Sequence, residues 1–187
     1  MAKLAFISVI SVSILLLCLI KHSATSSCNG KLTADCNKMT RVCNQELSWR
    51  ATKKEIEFTI TAKTDKWLGV GVSKDQLMPF TDTYVGWTAR GKTYLSDRYI
   101  GQYRTAPTLD SNQNVFNVNG SYANGYSSLS FKRPITTGDS NDISVNGCRY
   151  FFLAIGGSFN EATKQIDRHV STPIATPQAI CIDPSKC

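Results

Sequence analysis

Two side chains of this sequence have the chemistry to bind the same metal-bearing group. Met78 lies in the loop-like stretch "GVSKDQLMPFTD" (71–82) and His169 in "NEATKQIDRHVSTP" (160–173). A thioether and an imidazole form the axial pair of a low-spin electron-transfer haem, and that pairing raises its reduction potential. Both residue types are scarce. The other methionines are Met1 and Met39, and the other histidine, His22, falls in an apolar leader. Each residue also has an ordinary use, since a loop methionine packs beneath its own loop and a lone histidine serves as a surface or hydrogen-bonded group. The residues alone leave those readings open.

The same scarcity excludes other chemistry. With His169 the one histidine beyond the leader, a zinc or copper site built on two or three imidazoles cannot form within the chain, and H-E-x-x-H is absent. A nucleophilic triad would have to use His169 with Asp167 or Ser171. No G-x-S-x-G turn supplies its serine, and "GGSFN" (156–160) departs at the last glycine. Phosphate-cradling glycine loops are also missing. Asp139 and Asp142 are close in sequence, a spacing that in β-proteins usually marks a turn. A carrier or binding module is therefore expected rather than an enzyme.

The elements that position Met78 and His169 begin after residue 26. Lys3, the apolar run "LAFISVISVSILLLCLI", Lys21 and the small-residue run "SATSS" have the order of a secretory signal peptide, with cleavage expected after Ser26. A short membrane anchor is the alternative, although about 17 apolar residues is at the low edge for a span. Loss of Lys3 and Lys21 takes the formal charge from +7 to +5. No Lys/Arg cluster of the nucleic-acid-binding kind remains, so nucleic acid is not an expected partner. Six cysteines remain: Cys28, Cys36, Cys43, Cys148, Cys181 and Cys187. An even number in an exported chain reads as disulfides, here stapling both ends onto the domain, with the pairing left open. No further stretch of spanning length follows, so a secreted, extracellular chain is expected, with Asn119 of the sequon Asn119-Gly120-Ser121 a glycosylation site.

Residues 56–62, "IEFTITA", alternate apolar and polar, the signature of a half-buried strand. "WLGVGVS" (67–73) carries Val70 and Val72 on one face and glycines on the other. Further β-rich runs occupy 83–89, 92–100, 114–122, 126–135 and 149–158, separated by turn material such as Asn124-Gly125. Seven short strands without an amphipathic helix predict an all-β antiparallel sandwich. The divisions expected are a signal peptide (1–26), a cysteine-bearing extension (27–45), one domain (46–178) and a cysteine-bearing tail (179–187).

Several ordered motifs resemble one family. "KWLGVGVSKDQLMPFTDTYVGW" (66–87), "LSDRYIGQYRTAPTLDSNQNV" (95–115), "SFKRPITTGDSND" (130–142) and "YFFLAIGG" (150–157), with the later His169, are similar to DOMON domains. The resemblance implies an immunoglobulin-like β-sandwich, in agreement with the strand pattern. In haem-binding members the axial ligands are a methionine after the "GVG" strand and a histidine after the last core strands, and these positions fall on Met78 and His169. Other members bind sugars or act as interaction modules.

With no C-x-x-C-H for covalent attachment, the implied cofactor is a non-covalent haem b. Leu77, Phe80, Tyr84, Trp87, Phe151 and Phe152 are the candidate pocket walls, although strand alternation allows only some of them to face the same way. The expected function is a secreted b-type cytochrome for one-electron transfer, working with an extracellular or membrane redox partner. The alternative is an extracellular module that recognises a glycan or protein through Trp87, Tyr99 or Tyr103.

Overall fold

A computed structural model describes residues 27–187, so the leader lies outside the described residues. Twelve strands form two antiparallel sheets packed face to face. The first sheet contains β1 (Asn29–Cys36), β2 (Cys43–Ala51), β3 (Glu55–Ala62), β9 (Tyr126–Pro134) and β8 (Phe116–Ala123), in that spatial order. The second runs β11 (Ile174–Ala175), β10 (Gly147–Ile155), β4 (Leu68–Ser73), β5 (Thr81–Ala89), β6 (Lys92–Ile100) and β7 (Thr108–Leu109), with β12 (Ile180–Ile182) also pairing with β10. The expected all-β antiparallel sandwich is the fold that forms.

Period-two patterning builds the core. Ile56, Phe58, Ile60 and Ala62 of β3 all point inward, and Leu68, Val70 and Val72 of β4 meet them from the other sheet. Phe58 and Phe151 meet edge to face with ring centroids 5.2 Å apart, and Tyr84 lies 5.0 Å from Phe131.

The cysteine-bearing segment 27–45 is part of the first sheet. β1 pairs with β2 over most of its length, and Cys36 bonds Cys43 across the hairpin. Cys148–Cys181 ties β12 to β10, and Cys28–Cys187 joins the two ends of the described chain to each other. Alternation in this segment is polar on both faces for several residues, which is why pattern alone did not reveal β1. Asn119 is exposed on β8 at an edge of the first sheet.

Candidate functional site

The residues singled out for cofactor chemistry divide between the two faces of the second sheet and the loops at its ends. On β4 the core-facing Leu68, Val70 and Val72 leave Gly69 and Gly71 facing outward. On β10 Phe151 and Leu153 point into the core, and Phe152 and Ala154 point out. On β5 Tyr84 points inward, and Val85 and Trp87 point out. Tyr84 and Phe151 therefore stand on the opposite side of the sheet from Trp87 and Phe152 and cannot share a wall with them. Trp87 is itself enclosed, stacked on Phe159 at 4.5 Å and packed on Tyr94 at 4.4 Å.

Met78 is half-buried in the loop between β4 and β5, and its neighbours Leu77 and Phe80 are exposed. Asp75 shapes the turn by accepting the Leu77 backbone N–H at 2.9 Å. The Thr81 hydroxyl donates to the Leu77 carbonyl at 3.2 Å, and Gln76 donates to the Thr176 carbonyl at 2.9 Å. Because Thr81 also leans over Gly71, the Leu77–Met78 segment is drawn to the outer face at that end.

His169 is half-buried in the connection between β10 and β11. The Gly157 N–H donates to the Arg168 carbonyl and the Val170 N–H to the Ile155 carbonyl, each at 3.0 Å. These bonds bracket Gly156 and His169 as opposed antiparallel neighbours, whose side chains leave on one side. At Gly156 that side holds the Trp67 indole, where a Cβ would come within 1.6 Å of the ring. The indole N–H donates to the Asp167 carbonyl at 3.0 Å and fixes the loop beside it. Arg98, buried on the same face, donates to the Lys164 carbonyl at 2.7 Å and the Pro107 carbonyl at 3.3 Å.

The Met78 and His169 loops thus border one face from opposite ends. Gly71 on β4 and Trp67 immediately before that strand, the positions the two loops border, are four residues apart, about 13 Å at strand rise. One thioether and one imidazole are the donors a low-spin haem iron takes, and the floor between them has small residues at Gly69, Gly71 and Ala154. Trp67 and Phe152 lean over the two glycines, each 3.1 Å from where a Cβ would stand. Neither of the surface cavities of 480 Å³ and 550 Å³ is lined by Met78 or His169, although Pro79 and Phe80 of the Met78 loop line the larger one.

A second group of functional side chains lies between the sheets. Asp82 on β5, Asp97 on β6 and Asp142 in the loop after β9 each bring a carboxylate oxygen within 4.8 Å of the other two. Arg133 of β9, fully buried, donates through Nη1 to Asp82 Oδ2 at 2.7 Å and also contacts the Tyr84 hydroxyl. Asp82 Oδ2 further accepts from the Tyr84 hydroxyl at 2.7 Å and the Ile143 N–H at 3.0 Å.

Burial outweighs the Arg133 charge and pushes Asp82 up to about 6, and burial with the nearby Asp82 charge pushes Asp97 up to about 8. Burial also raises Asp142 and, together with the Asp82 charge, holds Tyr84 well above its ordinary value. The spacing of Asp139 and Asp142 predicts a turn, whereas the structure brings Asp142 together with Asp82 and Asp97, which no motif singles out. The available signal was parity, because Asp82 shares its alternation with the inward Tyr84, and Asp97 is the strand partner of Tyr84.

Two antiparallel sheets packed face to face define an immunoglobulin-like β-sandwich. The cytochrome domain of cellobiose dehydrogenase from Myriococcum thermophilum superposes with a TM-score of 0.59 at 14% identity, covering 83% of this chain and 82% of that one. The cytochrome b domain of pyranose dehydrogenase from Coprinopsis cinerea does so at 0.54 and 16% identity, covering 71% and 75%. The DOMON domain pattern matches residues 41–156, and the chain belongs to the DOMON family.

Among curated relatives, MOXD1 homolog 2 of Drosophila melanogaster is 30% identical over 99 residues, 52% of this chain and 13% of that protein. The DOMON domain-containing protein FRRS1L of Mus musculus is 28% identical over 151 residues, 79% of this chain. The match spans only 49% of the mouse protein's length.

Proposed function

We propose that this DOMON domain binds haem b without covalent attachment, takes Met78 and His169 as its axial pair, and carries single electrons outside the cell. The observation that carries the reading is the placement of these two donors on loops bordering one outer sheet face, in a fold shared with two cytochrome domains. The bound group would supply one-electron chemistry. The chain would supply both axial donors and the outward Phe152, with Leu77 and Phe80 at the solvent edge. With both axial positions filled by protein, oxygen binding and substrate chemistry at iron are disfavoured, and a carrier role follows rather than catalysis. The leader and three disulfides support export. The electrons would pass to or from an extracellular or membrane redox partner.

Titration of the disulfide-intact protein with haemin tests this reading. A sharp Soret band with resolved α and β bands on dithionite reduction is expected. His169→Ala should abolish low-spin uptake, and Met78→Leu should lower the potential while uptake persists. An unchanged low-spin spectrum in both variants refutes the ligand assignment, and no specific uptake refutes the reading as a whole. Glycan or protein recognition is the second reading, favoured by Tyr103 and Phe80, which are 67% and 64% exposed. Trp87 is too enclosed to take part.

A further inference from the structure

We propose that Asp82, Asp97, Asp142 and Asn114 form a buried calcium site between the sheets, separate from the face that Met78 and His169 border and independent of haem. Each acidic side chain keeps an oxygen that the protein does not use. Asp82 Oδ2 is saturated by three donors, yet Asp82 Oδ1 has no partner and no contact with solvent. Asp97 Oδ2 accepts the Asn114 N–H at 3.1 Å, and Asp97 Oδ1 is bare. Neither oxygen of Asp142 makes a well-formed hydrogen bond, and the neutral Asn114 Oδ1 is also unpartnered.

The burial sets this group apart from an ordinary acidic patch. Asp82 is 1% exposed and Asp97 0%, so their bare oxygens cannot turn to bulk water. With all three carboxylates ionised, as cation ligands are, their charge exceeds that of Arg133 by two, the amount a divalent cation balances. Asp110, whose carboxylate holds Asn141, adds to the negative field at this end of the sandwich.

The donors are all oxygen, with no imidazole or thiolate among them, which selects a hard cation. A flexible set of carboxylate and amide oxygens suits calcium, which accepts varied geometry, better than magnesium, which demands an octahedron. Ions have a route in, because Asn114 lines the 480 Å³ cavity and Asp142 the 550 Å³ cavity.

Thermal unfolding of the haem-free, disulfide-intact protein in EGTA, in 10 mM calcium chloride and in 10 mM magnesium chloride tests the site. Calcium should raise Tm by about 5 °C, EGTA should reverse the rise, and magnesium should give less than half of it. Calorimetric titration with calcium chloride should find one site per chain. Asp97→Asn removes a buried charge and keeps the shape, so the variant should fold and lose the calcium-dependent rise. Should that variant fail to fold, Asn114→Ala serves, with the rise expected to fall to less than half.

A wild-type Tm indifferent to calcium, or titration without binding heat, overturns the site. A full calcium response in the folded Asp97→Asn variant, or in Asn114→Ala, overturns these ligands. An equal magnesium response overturns the choice of calcium.

Discussion

Arg133→Leu should be among the most damaging single substitutions in the sandwich. The guanidinium is fully buried, lies 2.7 Å from Asp82 Oδ2 and, among the described residues, is the one cation ion-paired with any of the three interior carboxylates. Leucine fills part of the volume but leaves Asp82 and Asp97 charged or forces them to take up protons. Removing one partner of a buried pair costs about 3–5 kcal/mol, a large share of the roughly 5–15 kcal/mol that holds a domain together. With a urea slope of about 2 kcal/mol per M, the unfolding midpoint should fall by about 2 M.

The assay is urea denaturation in EGTA, so that no cation replaces the lost charge. Adding Asp82→Asn should recover more than half of the loss, because the uncompensated carboxylate goes with it. A shift below about 0.5 M for Arg133→Leu, or no recovery in the double variant, would refute the claim that this charge balance organises the interior.

Two further perturbations separate the roles of the staples and of the loop that carries His169. Replacing Cys28 and Cys187 by serine opens a closure of 159 residues, worth about 5 kcal/mol on the chain-entropy view, and replacing Cys36 and Cys43 opens one of 7 residues, worth about 2.5 kcal/mol. Denaturation midpoints that rank the two pairs the other way would contradict that account. Gly156→Ala puts a methyl group 1.6 Å from the Trp67 indole and should cost at least about 2 kcal/mol, with tryptophan emission shifted to the red as the ring leaves its packed position. Unchanged emission and stability would show that Trp67 does not hold the His169 loop in place.

Local pattern was enough to reveal β3, β4 and β9, because period-two burial is written into consecutive residues. It also identified the scarce pair Met78 and His169, since scarcity is a property of composition. The pattern could not orient every candidate. Tyr84 and Trp87 stand three residues apart on one strand, and the odd spacing sends the first into the core and the second outward, a difference that matters only once a second sheet defines the inside.

Pairings over long separations were likewise beyond local signals. Cys28 finds Cys187 because β1 and the C-terminal turn end at the same edge, an outcome of sheet order that cysteine spacing does not encode. The carboxylates of Asp82, Asp97 and Asp142 converge for the same reason, since each looks like an isolated turn or strand residue until β5, β6 and the loop after β9 are stacked. Residue types and their periods are local and were set by the sequence itself. Which of those residues share a low-dielectric interior is decided by packing, and only the assembled sandwich determined it.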